Sequence, residues 1–210
     1  MSGNVKIDVL DDGPLIVDNL ESLTNSKGEN VEIEEKTALC RCGHSANKPF
    51  CDGSHKNVEF SGNRESNASF SKERAYEGKE ITIHDNRTIC WHARKCVSGL
   101  NSVFNIKTNP WINPENAEVN QVIEVVRRCP SGALSYTIDN IRTTDFNGPT
   151  EINIIKDGPY NVSGNIEINV ADEIQPPSKD HYSLCRCGAS KNKPYCDGSH
   201  NDIKFNDEDN

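Results

Sequence analysis

Short runs of alternating apolar and polar residues dominate both ends of this chain. The stretches KIDVL at 6–10, EINII at 151–155 and NIEINV at 165–170 have the period of two expected of a half-buried β-strand. Each of the first two leads into Asp-Gly-Pro, at 12–14 and 157–159, which predicts a turn. In the middle, YEGKEITIHDNRTIC predicts a strand running toward Cys90, and CPSGALSYTID predicts a returning strand after Cys129. A helix is predicted between them. Asn113 suits its N-cap, Pro114 its first turn and Glu115 and Glu118 its positive end, while Val122, Val125 and Val126 share a face. Cys129 is thereby placed just beyond a helix C-terminus.

The two ends repeat each other at an offset of 145 residues. Ile7, Val9, Val17, Leu39 and Phe60 fall without a gap on Ile152, Ile154, Val162, Leu184 and Phe205. The densest match is CRCGHSANKPFCDGSH at 40–55 against CRCGASKNKPYCDGSH at 185–200, identical at 13 of 16 positions. A duplication serving structure alone would keep apolar periodicity; this one keeps thiols. Between the copies, SGNRESNASFSKER at 61–74 is polar and reads as a linker. The expected organisation is a first repeat over 1–60, a linker over 61–74, a central unit over 75–140 and a second repeat over 141–210 with a frayed acidic tail, NDEDN.

Composition sharpens the picture. With 34% hydrophobic residues in 210, the cores must be small, and small cores are commonly stapled by disulfides or metals. Nine cysteines is an odd number for a disulfide framework, and MSGNVKIDVLDDG has neither a basic n-region nor a long apolar run. A reducing, cytoplasmic setting is therefore expected. No window approaches the ~18 apolar residues of a membrane span. A net charge of −9 disfavours nucleic acid as the main partner.

Each repeat has the spacing C-x-C-x8-C-x3-H, giving Cys40, Cys42, Cys51 and His55, then Cys185, Cys187, Cys196 and His200. Three thiolates and an imidazole suit tetrahedral zinc or an iron-sulfur cluster. Structural zinc sites usually space a cysteine pair by two to four residues, whereas C-x-C suits two thiolates on one iron, with Cys51 and His55 on a second. A neutral imidazole in place of a thiolate removes negative charge and should raise a cluster's reduction potential. Lys48 and Lys193 either add positive charge beside the site or are plain solvated lysines. His44, replaced by Ala189 in the second copy, is expected at the surface, as are His84 and His181.

These residues, CRCG followed by NKPFCDGSH or NKPYCDGSH, resemble the CDGSH iron-sulfur domain of the NEET proteins, met twice in one chain. The resemblance implies a [2Fe-2S] cluster in each copy, held by three Cys and one His. It further implies that Asp-Gly-Ser-His opens a short helix capped by Asp52 or Asp197, with Gly53 and Gly198 admitting the backbone to the cluster. Duplicated members pair their halves internally about a pseudo-twofold axis, which implies a monomer here.

Cys90, Cys96 and Cys129 form a C-x5-C pair and a remote C-P. A bacterial ferredoxin run is C-x2-C-x2-C with a remote C-P, and Ala93 stands where its middle cysteine would be. The segments CWHARKCVSGLNSVF and CPSGAL resemble the divergent mono-cluster ferredoxin domain over about residues 75–140. Two cluster options follow: [3Fe-4S] on the three cysteines, or [4Fe-4S] with a fourth ligand such as His92, another side chain or water. Three reduced structural thiols are the plain alternative. The two motifs and the central trio account for all nine cysteines.

The fold class expected is a β-rich α+β protein, with two CDGSH β units flanking a small ferredoxin-like insert. No G-x-G-x-x-G, P-loop or nucleophile elbow is present, so no bound nucleotide or hydrolytic site is expected. The function expected is electron transfer or cluster delivery, not catalysis, with a redox protein or an apo iron-sulfur acceptor as partner. A zinc-stabilised interaction module and a labile-cluster sensor of redox state or acidity are the alternatives.

Overall fold

The computed structural model describes residues 4–65 and 73–208. Positions 66–72 of the predicted linker and the last two of the predicted acidic tail lie outside the described residues. The protein is α+β and β-rich, and its described residues form three four-stranded sheets. No described helix is long and apolar enough to cross a membrane.

The first repeat forms β1 (Lys6–Val9), β2 (Leu15–Asp18), β3 (Leu23–Thr24) and β4 (Lys36–Leu39). β1 and β2 pair antiparallel around the Asp-Gly-Pro turn, where Leu10 N–H donates to Pro14 O. The second repeat forms β9 (Glu151–Ile154), β10 (Tyr160–Ser163), β11 (Glu167–Asn169) and β12 (His181–Leu184) in the same way. Each sheet then takes an edge strand from the other copy. The first has the order β11-β1-β2-β4, with Ile7 opposite Ile168; the second has β12-β10-β9-β3, with Leu23 opposite Ile152. The inward residues of both copies, among them Ile7, Leu15, Val17, Ile152, Tyr160 and Val162, consequently make one core. One repeat alone is too short to bury enough apolar surface, and merging two halves supplies the deficit.

Polar contacts lock the halves. Tyr160, which occupies the place of Leu15, donates its hydroxyl to Cys40 O at 2.8 Å and lies 3.0 Å from Pro49 O. On the axis between the copies, Cys42 and Cys187 form an isolated antiparallel β-bridge. Gly43 and Gly188 beside it have φ of 82° and 79°. A Cβ on Gly43 would lie 2.7 Å from Cys187 O, and one on Gly188 would lie 2.5 Å from Cys42 O, so only glycine admits this approach.

The central unit folds as β5 (Glu73–Glu77), β6 (Thr82–Asn86), α1 (Lys95–Gly99), α2 (Val119–Val126), β7 (Leu134–Ile138) and β8 (Ile141–Thr143) around a second core. Two expectations are corrected here. The single strand expected before Cys90 is a β5-β6 hairpin, turned at Gly78. The helix begins later than expected: Asn113 Oδ1 accepts from Glu115 N–H to cap a 3-10 turn at Pro114–Asn116, and α2 starts only after extended Ala117. Glu118 caps α2 in a capping box with Gln121. Val122, Val125 and Val126 are buried, as their spacing predicts.

Further corrections concern surface assignments. His181 is 6% exposed, its Nδ1 3.0 Å from Ser178 Oγ and its ring stacked on Phe146. His84 is half-buried on β6, with Nε2 2.8 Å from Thr137 Oγ1 and Nδ1 3.3 Å from Glu73 Oε1. His181 lies on β12, all four residues of which are buried, and His84 lies on the face of β6 opposite Ile83, where Glu73 and Thr137 of the flanking strands cover it. Nor is the described part of the acidic tail frayed: Asp207 is 3% exposed and pairs with the fully buried Arg186. His44 is exposed.

Candidate metal centres

In each repeat the motif loop leaves the last strand of its sheet at a cysteine and is braced by the same bonds in both copies. Cys40 N–H donates to Pro49 O and Cys185 N–H to Pro194 O, both at 2.8 Å; Cys51 N–H donates to Ala38 O and Cys196 N–H to Ser183 O, both at 2.9 Å. The Ser45 and Ser190 hydroxyls each close the loop onto a backbone carbonyl at 2.6 Å, from Phe50 and Tyr195. Asp52 Oδ1 accepts from Ser54 N–H and Oδ2 from Ala46 N–H, and Asp197 repeats this with Ser199 and Lys191. Gly53 and Gly198, with φ of 89° and 93°, occupy the N-cap positions themselves, so each aspartate acts from the residue before. Short helical turns follow, a 3-10 turn at Ser54–Lys56 and α3 (Ser199–Asp202), and carry His55 and His200 back to Cys51 and Cys196.

The donor atoms come in pairs. Cys40 Sγ lies 3.6 Å from Cys42 Sγ, and Cys51 Sγ lies 3.4 Å from His55 Nδ1; in the second copy the distances are 3.9 and 3.3 Å. Two thiolates at ~2.3 Å from one tetrahedral ion sit about 3.8 Å apart, and a thiolate with an imidazole nitrogen at ~2.1 Å about 3.6 Å apart. Each pair therefore has the spread of two ligands on one ion. Among the described residues no group of three or more His, Cys, Asp and Glu is gathered for a single ion.

Electrostatics follow the pairing. The hydrogen bond from Cys42 holds the Cys40 thiol down to about 5, and the same contact pushes Cys42 up. Cys187 likewise holds Cys185 down to about 7, helped by the Lys193 ammonium, and is itself raised. In each pair one thiol therefore gives up its proton more readily than the other. Lys193 is 5% exposed and donates to Ser190 O at 2.7 Å; Lys48, half-buried, donates to Ser45 O at 2.8 Å. Neither is a free solvated lysine. Burial pushes Cys196 well above its ordinary value.

The central cysteines converge from three elements. Cys90 follows a 3-10 turn capped by Asn86, Cys96 lies on α1, and Cys129 follows α2, its N–H donating to Val126 O. All three line a pocket of about 250 Å³ together with Trp91, His92 and Ser131. Burial, then the neighbouring Cys129, raises Cys90 and pushes Cys96 up to about 11. Arg87 offsets part of this, with Nη1 3.9 Å from Cys90 Sγ. No fourth cysteine lines the pocket. His92 is exposed, has φ of 64° and leans toward Gly198 of the second repeat.

Sequence reasoning missed Trp91, whose Nε1–H donates to Ser183 Oγ at 2.9 Å and whose ring centroid is 5.9 Å from that of His200. Its place beside Cys90 was the only available signal. It also missed Asp207, which the 145-residue offset sets against Gly62.

Fold and donor geometry together define a small metal-binding protein made of a paired repeat with a cysteine-lined insert. Comparison with known families agrees. The model described as iron-binding zinc finger CDGSH type matches residues 12–56 and 157–201, and the model of a divergent 4Fe-4S mono-cluster matches residues 76–139. The chain thus carries two CDGSH-type iron-binding domains with a divergent 4Fe-4S mono-cluster domain between them. It is similar to the uncharacterized protein YjdI of Escherichia coli strain K12, 44% identical over 63 residues, which are 30% of this chain and 83% of that protein. YjdI of Escherichia coli O157:H7 matches to the same extent. The families support an iron-sulfur protein.

Proposed function

We propose that each repeat holds a [2Fe-2S] cluster, the first on Cys40, Cys42, Cys51 and His55 and the second on Cys185, Cys187, Cys196 and His200. A third cluster, [3Fe-4S] or [4Fe-4S], is held by Cys90, Cys96 and Cys129. The observation that carries this reading is the division of each repeat's donors into a thiol pair and a thiol-imidazole pair, each with the spread of two ligands on one ion. A single zinc ion would need all four donors gathered. The protein then works as an electron carrier or cluster donor to another protein and not as an enzyme, with three units over 1–60, 75–140 and 141–210. Bound clusters would supply one-electron chemistry; the chain's residues set their charge and access.

Iron and acid-labile sulfide analysis of anaerobically purified protein tests this. The expected result is coloured protein with sulfide close to equimolar with iron. Colourless, folded protein carrying zinc and no sulfide would overturn the reading. An EPR signal in the oxidised protein would identify the central cluster as [3Fe-4S]; a silent spectrum with about eight irons per chain would identify [4Fe-4S], and one with about four would show that the three central cysteines are plain thiols.

Replacing His200 or His55 by Cys puts a thiolate where a neutral imidazole stood. The added negative charge should lower the midpoint potential of that repeat's cluster. Potentiometric titration checks the sign, and an unchanged or raised potential would count against histidine ligation.

A further inference from the structure

The repeats are matched in sequence yet unequal in surroundings. In the first, Cys51 and His55 are half-buried; in the second, Cys196 is 2% and His200 6% exposed. The cover comes from the central unit. A Cβ built on Gly53 would meet nothing within 4 Å, whereas one on Gly198 would lie 3.1 Å from His92 Cδ2 and 3.6 Å from Trp91 Cα. Trp91 also places its ring beside His200.

A single side chain anchors this cover. Ser183 Oγ accepts from Trp91 Nε1–H at 2.9 Å, and its one proton faces Asn161 Oδ1 at 2.7 Å with Pro130 O farther off at 3.2 Å, while Ser183 O accepts from Cys196 N–H. It thus ties Trp91, the neighbour of Cys90, to a cysteine of the second repeat and lies beside Pro130, the neighbour of Cys129. At the matching position the first repeat has Ala38, which makes the backbone bond to Cys51 and has no hydroxyl for the others. Asn192 adds a further tie, donating its Nδ2–H to Thr88 O at 2.8 Å.

We propose that Trp91 and His92, anchored through Ser183, roof the second repeat's site and couple it to the central cysteine pocket, leaving the first repeat's site as the one open to exchange with an external acceptor. Trp91 and His92 are positioning residues in this arrangement. The inference rests on the cluster reading above, and it assigns the two repeats different work: an open port at Cys51 and His55, and a sealed centre at Cys196 and His200 joined to the insert.

The test uses the full chain, reconstituted anaerobically, with iron and sulfide counted first; material without sulfide refutes the cluster reading itself. With clusters present, EDTA challenge followed by visible absorbance should show a fast and a slow phase of [2Fe-2S] loss. Cys51→Ser should remove the fast phase. Ser183→Ala, a change the first repeat already carries at Ala38, should keep the fold and speed the slow phase, and Trp91→Ala with His92→Ala should speed it by about tenfold. EPR of dithionite-reduced protein supplies a second readout: magnetic interaction with the central cluster should persist in Cys51→Ser and vanish in Cys196→Ser. Clusters present but lost at one common rate, or a slow phase indifferent to both the Ser183 and the Trp91-His92 variants, would overturn the inference and leave the cluster reading standing. So would an interaction that survives Cys196→Ser.

Discussion

Gly188→Ala is expected to abolish folding of the paired repeats, while Gly53→Ala, at an equally left-handed residue, is expected to be tolerated. Both positions have positive φ, and an L-residue there costs roughly 1–2 kcal/mol. The difference lies in what the new methyl meets. At Gly188 it would lie 2.5 Å from the carbonyl oxygen of Cys42, and backbone cannot swing aside as a side chain can; at Gly53 it meets nothing within 4 Å. Separating the strands at that point breaks the Cys42–Cys187 bridge and opens the shared core. A loss above about 4 kcal/mol is expected, the rare end for single substitutions. Far-UV circular dichroism and chemical denaturation of the two variants provide the measurement. Tryptophan fluorescence mixes two signals, because Trp111 lies within the central unit whereas Trp91 packs against Ser183 and His200 of the second repeat. Gly188→Ala unfolding at the same denaturant concentration as Gly53→Ala would refute the steric argument.

The second large effect is expected of Asp207→Ala. Arg186 has a fully buried side chain that donates to Gly158 O at 2.8 Å and to Ile155 O at 2.9 Å, and its Nη1 pairs with Asp207 Oδ2. Removing the carboxylate leaves a buried cation without its counter-ion, which costs about 3–5 kcal/mol in comparable sites. The first repeat shows why this should weaken the protein and not prevent folding. Arg41, 2% exposed, has Gly62 in place of the aspartate, and its Nη1 has no hydrogen-bond partner among the described residues; backbone carbonyls of Leu10 and Gly13 and the Phe60 ring hold it. Combining Asp207→Ala with Arg186→Met should recover much of the loss, because a buried pair exchanged for apolar groups is often neutral. Equal denaturation midpoints for the single and double variants would show that the stranded charge is not the cause.

Much of the candidate site was legible because its information is local. The C-x-C pair and the Cys-x3-His pair are each set by a few covalently linked residues, and the structure brings each pair within 3.9 Å. The aspartates take the serine N–H groups that Asp-Gly-Ser-His implied, although Gly53 and Gly198 occupy the N-cap positions themselves. Expectations failed where a distant partner decided. His181 and His84 were assigned to the surface for want of a ligand spacing, yet their strands turn them onto Ser178, Phe146, Thr137 and Glu73. The acidic tail looked free because the charge it neutralises, Arg186, lies 21 residues away. Asn113 does cap a turn, but extended Ala117 interrupts the helix, and the capping box at Glu118 and Gln121 restarts it.

From the chain's order of residues alone came the duplication, the donor sets, the insert and its three thiols, since repetition and short spacing survive without knowledge of the fold. Tertiary structure decided that the repeats exchange β3 and β11, that Tyr160 spans them, and that one site is roofed while its twin is open. The physical reason is that such choices depend on which surfaces meet. Ala38 and Ser183 are both unremarkable strand residues until a tryptophan from the insert arrives beside one of them.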